Sequence, residues 1–505
     1  MELISPVDSM FLLAESREHP MHVGGLQLFE PPAGVGPDYV RNMYLDLIHR
    51  DDVSLTFRKH PSELFGGIAN LAWAFDHEID LEYHMRRSAL PSPGRVRELL
   101  ELTSRMHGTL LDRHRPLWES HLIEGLTDGR FAVYTKIHHA LVDGVSAMRL
   151  MRRSLSTDPE DSEVRVPWGT NKRQSSRVPR GVAQGVSLLG GLAKAAGSVV
   201  ELGPSTYTLA RRGLLEQQLT LPFGAPRTMF NVPIGGARRV AAQSWPMARV
   251  MAIKKAAGVT VNDVVLAMCG GALRAYLLEQ NALPDRPLIA MVPVSLRDDD
   301  SSGGNQVGAL LADLATHLPD PAKRLEAVSA SMRSNKQLFS QLPKLQQLAL
   351  SAFNVSPLLL SMVAPALGSA APPFNLVISN VPGTREPLYW NGSRLNGNYP
   401  LSIALDGQAM NITLTNNADN LDFGLVGCRR SVPSLQRLLG HLEDSLTDLE
   451  RAVGAPVNKA GSAKRAPVKK APVKKAPVKK APAKKAPAKK AATPSDRTAA
   501  SANSE

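Results

Sequence analysis

Between Phe131 and Leu155 the chain changes its hydrophobic period, and that change constrains everything around it. Phe131 to Ile137 alternate in polarity and are rich in β-branched and aromatic residues, which predicts a strand. Two adjacent histidines, His138 and His139, end the strand, and Asp143 and Gly144 follow shortly after. Met148, Met151 and Leu155 then fall at helical spacing. The stretch KIHHALVDGVS, Lys136 to Ser146, therefore sits on a strand-to-helix turn, where side chains are held rigidly and stay reachable.

Successive side chains on a strand point to opposite faces. His139 shares its face with Ile137, Thr135 and Val133, and His138 shares its face with Lys136 and Tyr134. His139, on the more apolar side, is the candidate general base, since a neutral imidazole can take a proton from a hydroxyl as that hydroxyl attacks a carbonyl. Asp143 is its candidate partner and also a candidate cap for the following helix. The histidines have plainer readings as core residues or metal ligands. Adjacent strand residues diverge and neither a cysteine nor a third histidine lies nearby in sequence, so no metal site is expected.

HHALVDG resembles the HHxxxDG signature of the CoA-dependent acyltransferase superfamily, which includes chloramphenicol acetyltransferase, peptide-synthetase condensation domains and bacterial wax ester synthase/diacylglycerol acyltransferases. Further motifs resemble the last of these. They are the opening MELISPVDSM with PMHVGGLQLFE, the PLWE motif at Pro116 to Glu119, the ND motif at Asn262 and Asp263, and SNVPG within Asn375 to Thr384. The resemblance spans Met1 to Gly454. One departure is the stretch Asn416 to Asn420, which stands where relatives commonly carry an SYxG-type sequence.

That resemblance implies an α/β (α+β) fold of two chloramphenicol-acetyltransferase-like domains, each a mixed β-sheet flanked by helices, meeting along a central substrate channel with His139 at its centre. It implies transfer of a long-chain fatty acyl group from acyl-CoA to diacylglycerol, giving triacylglycerol, or to a long-chain alcohol, giving a wax ester. No cofactor is implied beyond acyl-CoA as co-substrate. Asp143 is implied to turn away from substrate and pair with an arginine, for which Arg297 is the candidate. Trp118 is expected to shape the pocket wall. Asn262 is expected to donate to the oxyanion, or else Asn262 or Asp263 caps the helical run that follows. His138 and Gly144 support the motif, and His22, at the start of a strand, is expected to be structural. Neither a serine nor a cysteine nucleophile belongs to the matched HHALVDG, so no covalent enzyme intermediate is needed.

Length favours two folded domains plus extras. The expected boundaries are 1–156 for the first domain, 157–227 for a linker or crossover, 228–454 for the second domain and 455–505 for a tail. Leu288 to Arg297 and Gly303 to Leu314 read as neighbouring strands, and Pro382-Gly383 as a turn after a strand. Gly185 to Leu202 reads as a helix lying on a membrane or on protein. The uncharged run Leu345 to Thr384 is broken by prolines and reads as a greasy surface or acyl tunnel.

The net charge of +13 is concentrated at the end of the chain, since residues 456–505 carry 14 Lys or Arg against 2 acidic residues. There APVKK repeats three times and APAKK twice, a composition that cannot form a core and attracts anionic lipid or nucleic acid without sequence preference. Two cysteines offer no disulfide framework, and the opening residues lack a basic secretory n-region. The expected place is the cytoplasm, peripherally on the inner membrane face or on lipid droplets. Two other functions fit parts of the sequence: a condensation-like enzyme using carrier-bound donors, and a weakly active protein tethering lipid droplets or nucleoid.

Overall fold

The structure is a computed structural model that describes residues 2–62, 72–170, 224–295, 307–341, 347 and 372–456. The first half of the chain opens with β1 (Glu2–Leu3), α1 (Pro6–Ala14), β2 (His22–Glu30), α2 (Tyr39–Ile48), β3 (Lys59–Ser62) and β4 (Ala72–Phe75). It continues with α3 (Leu81–His84), β5 (Met85–Ala89), α4 (Val96–His107), β6 (Trp118–Glu124), β7 (Phe131–His138) and α5 (Gly144–Arg153). The second half opens with β8 (Arg238–Pro246), α6 (Met247–Ala257), α7 (Val261–Glu279), β9 (Ile289–Ser295), β10 (Val307–Asp313) and α8 (Pro321–Gln341). It closes with β11 (Leu376–Thr384), β12 (Tyr389–Trp390), β13 (Ser393–Leu401), β14 (Met410–Asn417), β15 (Asn420–Cys428) and α9 (Arg437–Ala452).

Two six-stranded mixed sheets organise these elements, as the resemblance implies. The first has the order β12-β13-β2-β7-β6-β5, in which β5 runs parallel to β6 and the other neighbours are antiparallel. In the second, β10-β9-β11-β14-β15-β8, β11 runs parallel to both β9 and β14. The strands expected over residues 288–314 are the antiparallel pair β9 and β10. All residues of β7 are buried, because a central strand covered on both faces has no solvent side. Val133 and Ile137 pack with Trp118 and Trp168 on one face, while Tyr134 joins the core that continues into the second sheet.

Several expectations need correction. The boundary at residue 228 does not separate the sheets, since β12 and β13, from the segment 228–454, complete the first sheet by pairing β13 with β2. Unpaired, that edge of β2 would present a row of open N–H and C=O groups. Nor does the linker begin at residue 157. Val53 bridges Gly169, and Val166 and Trp168 bury themselves in the first half, apolar anchors inside an otherwise polar run. Pro382-Gly383 is not a turn either. The strand continues to Thr384 through an irregularity in register after Val381, where proline has no N–H to give and Gly383 lies so close to the Asn416 carbonyl that a Cβ would not fit.

The N-cap of α7 is Thr260, not Asn262 or Asp263. Thr260 has the extended backbone of a cap, its hydroxyl accepts from the Asp263 N–H, and Asp263 at the third helical position returns a bond to the Thr260 N–H at 2.9 Å. This helix is long and apolar enough to cross a membrane, yet most of it is buried, with Gly270 and Gly271 allowing close approach of Leu314 and Ser445. The segment Gly185 to Leu202, residues 348–371 and everything after Pro456 lie outside the described residues.

Candidate active site

His139 follows directly on β7, and its backbone N–H donates to the Met21 carbonyl at 2.8 Å, just ahead of β2. Its ring stacks on Phe11 of α1, with centroids 4.1 Å apart and an interplanar angle of 18°. The residue is half-buried, and its ring is desolvated by the atoms packed around it. That desolvation pushes its pKa down to about 4, against the opposing pull of the Asp143 carboxylate and of a hydrogen bond to the residue's own backbone. Of the two ring nitrogens only Nδ1 can reach that carbonyl, and among the described residues no hydrogen bond engages Nε2. At neutral pH the imidazole is therefore unprotonated and fit to accept a proton.

His138 points the other way, as the strand alternation requires, and is fully buried. Its Nδ1 accepts from the Ala140 N–H at 3.1 Å, so the proton resides on Nε2, which faces Glu15 Oε1 at 3.4 Å. Burial works to raise the Glu15 pKa, but His138, Arg113 and the Met21 N–H outweigh it and hold the carboxyl below the usual range. Lys136, on the same face, is also fully buried. Its ammonium lies 2.6 Å from Glu119 and donates to the carbonyls of Met106 and Thr109 at the end of α4. Burial lowers the Lys136 pKa, while Glu119, despite its own burial, is held at about 2 by His121 and Lys136.

Asp143 serves the helix. Its two oxygens receive the Ser146 N–H at 2.8 Å and the Ser146 hydroxyl at 2.9 Å, making it the N-cap of α5. Its influence on His139 is through charge, and among the described residues no hydrogen bond joins the two. Gly144 is the first residue of that helix and faces open space, while Arg297 lies outside the described residues. Trp118 is not a pocket wall. It is fully buried, stacked between His84 and Trp168, and its indole N–H donates to the Phe57 carbonyl at 2.9 Å.

His22 is buried, and its Nε2 meets the His107 carbonyl at 3.0 Å, a structural role. Asn262 is half-buried at the second position of α7, its amide without a partner among the described residues. The principal neighbours of α7 are α6, α8 and α9, so no described contact brings Asn262 to His139. Glu15, Phe11 and Met21 were missed by sequence reasoning. They stand more than a hundred residues from the histidines, and the only signal available was their place in an opening segment that resembles the family. No cluster of three His, Cys, Asp or Glu able to hold a metal occurs among the described residues.

Comparison with known proteins gives concordant results. Residues 4–265 match the wax ester synthase/diacylglycerol acyltransferase catalytic domain, and residues 303–450 match the C-terminal domain of the same family. A probable diacylglycerol O-acyltransferase of Mycobacterium tuberculosis is 65% identical over 456 residues, 90% of this chain and 100% of that protein. The O-acyltransferase WSD of Acinetobacter baylyi is 42% identical over 458 residues, 90% of this chain and 98% of its own length. Among solved structures, the wax ester synthase/diacylglycerol acyltransferase from Marinobacter aquaeolei superposes with a TM-score of 0.72 at 42% identity, covering 90% of this chain and 100% of that one. A condensation domain of the CDA synthetase, at 18% identity and a TM-score of 0.52, shares the fold alone. With the family's two domains matched in order and relatives of this kind aligned along nine-tenths of its length, the chain belongs to the wax ester synthase/diacylglycerol acyltransferase family and is an O-acyltransferase.

Proposed function

We propose that the protein moves a long-chain fatty acyl group from acyl-CoA to the hydroxyl of diacylglycerol, and to long-chain alcohols as second acceptors, with His139 as general base. The observation that carries this reading is the His139 ring, kept unprotonated by its surroundings and stacked on Phe11, with no hydrogen bond to Nε2 among the described residues. Names of relatives supply the acceptor class.

In the proposed step His139 Nε2 takes the acceptor's proton as the oxygen attacks the thioester carbonyl. The tetrahedral oxyanion collapses, the C–S bond breaks, and the imidazolium returns its proton to the departing thiolate, leaving an ester and free CoA. The Asn262 amide, which has no partner among the described residues, or a backbone N–H stabilises the oxyanion. Donor and acceptor reach His139 from two sides of a channel between the halves. The lysine-rich tail attaches the enzyme electrostatically to anionic headgroups of the inner membrane face or lipid droplets, where its acceptors dissolve.

Purified protein, labelled palmitoyl-CoA and a panel of diacylglycerol, monoacylglycerol and a long-chain alcohol test the reading beside His139→Ala. Ester formation by the wild type that is lost in the variant supports it. Undiminished ester formation by His139→Ala removes histidine from the mechanism, and silence of the wild type with free acyl-CoA points to a carrier-bound donor.

A further inference from the structure

The turn Glu15–Met21, between α1 and β2, touches the catalytic strand at both ends. Glu15 Oε1 faces His138 Nε2 at 3.4 Å and accepts the Met21 N–H at 3.2 Å, while the Met21 carbonyl receives the His139 N–H at 2.8 Å. Reciprocal backbone bonds between Ser16 and His19 close the turn. Its middle is gripped from the second half of the chain. Arg238 donates from Nη2 to the Glu18 carbonyl at 2.6 Å and the Ala404 carbonyl at 3.3 Å, and from Nη1 to the Gly235 carbonyl at 2.5 Å. His19 Nε2 lies 3.0 Å from Asp406 Oδ1, which also accepts the Ile234 N–H at 2.7 Å. Gly236 lies against the Arg17 carbonyl, where a Cβ would come within 2.6 Å.

Arg238 is 5% exposed, and among the described residues it has no carboxylate at ion-pair distance. Burying a guanidinium without a paired carboxylate is costly, and an apolar side chain would fill the space without that cost. What the arginine supplies is geometry, three carbonyls from three separate segments held by one rigid planar group.

We propose that Arg238 and Asp406 are positioning residues for the catalytic base. From the second half they fix the turn Glu15–Met21, whose Glu15 carboxylate and Met21 carbonyl set the His138 ring and the His139 backbone. The base on one half is thereby registered against the other. This rests on the reading of His139 as general base.

The full chain is assayed for acyl transfer as Arg238→Met, Arg238→Lys, Asp406→Asn and His139→Ala beside wild type, with melting temperature measured for each. Arg238→Met and Asp406→Asn are expected to lose on the order of tenfold or more in kcat while KM for acyl-CoA and acceptor stays within about twofold, because a base displaced by a fraction of an ångström loses rate without losing binding. The acidic limb of kcat/KM should move upward as water reaches a loosened ring, and Arg238→Lys, which keeps the charge but not the fork, should recover only part of the rate. Folded Arg238→Met and Asp406→Asn with wild-type kcat and an unmoved acidic limb overturn the proposal. So does a loss of rate that tracks the melting temperature and disappears on cooling. Should Arg238→Met not fold, Asp406→Asn decides by the same criteria. Activity in His139→Ala would remove the base and this inference together, whereas an inactive His139→Ala beside wild-type-like positioning variants removes only the inference.

Discussion

At His139 a single shift works in opposite directions on rate and on stability. Its pKa stands at about 4 against an ordinary 6.5. A base acts in its unprotonated form, so kcat/KM should stay level as pH falls through 6.5 and drop only near 4, as read from a pH–rate profile on protein whose folded fraction is followed by circular dichroism. The same depression destabilises the fold in acid. The unfolded histidine binds a proton near 6.5 and the native one does not, so stability is lost as pH falls from 6.5 toward 4. His107, pushed down to about 3 by burial, and His22, lowered well below its usual value by burial, act in the same sense. The two faces on which His138 and His139 lie were legible in the sequence, because strand alternation sends adjacent side chains to opposite sides. Glu15, Phe11 and Arg238 were not, because no local periodicity links them to residue 139.

Helix ends separate capping from chemistry. In α7 the cap lies at Thr260 and the neighbouring Asn262 bears none of the capping bonds. Thr260→Ala is therefore expected to cost about 1 kcal/mol in denaturant unfolding. Asn262→Ala should leave the unfolding midpoint in place and lower kcat by roughly 100-fold if its amide donates to the oxyanion. An unchanged kcat would return that role to a backbone N–H. Strands β7, β9, β10, β14 and β15 were readable from alternation and composition. The bulge in β11 was not, because Pro-Gly signals a turn locally, and only the proximity of the Asn416 carbonyl shows why the strand continues.

Across the whole molecule the family match ends at residue 450 and the described fold at Pro456, ahead of the lysine repeats. Removing residues 457–505 should leave acyl transfer in detergent unchanged and weaken co-sedimentation with anionic but not neutral vesicles, an effect that fades as salt rises. The two-sheet architecture was legible through motifs, but the strand exchange was not, since nothing in the local pattern of β13 names the sheet it joins. That exchange fixes an order of events at the ribosome. β2 emerges early, while β13, which covers its edge, is made only at residues 393–401. Until β13 is made, the edge of β2 lacks its native partner and is open to pairing with a stranger, and any cut between the halves parts β13 from the sheet it completes.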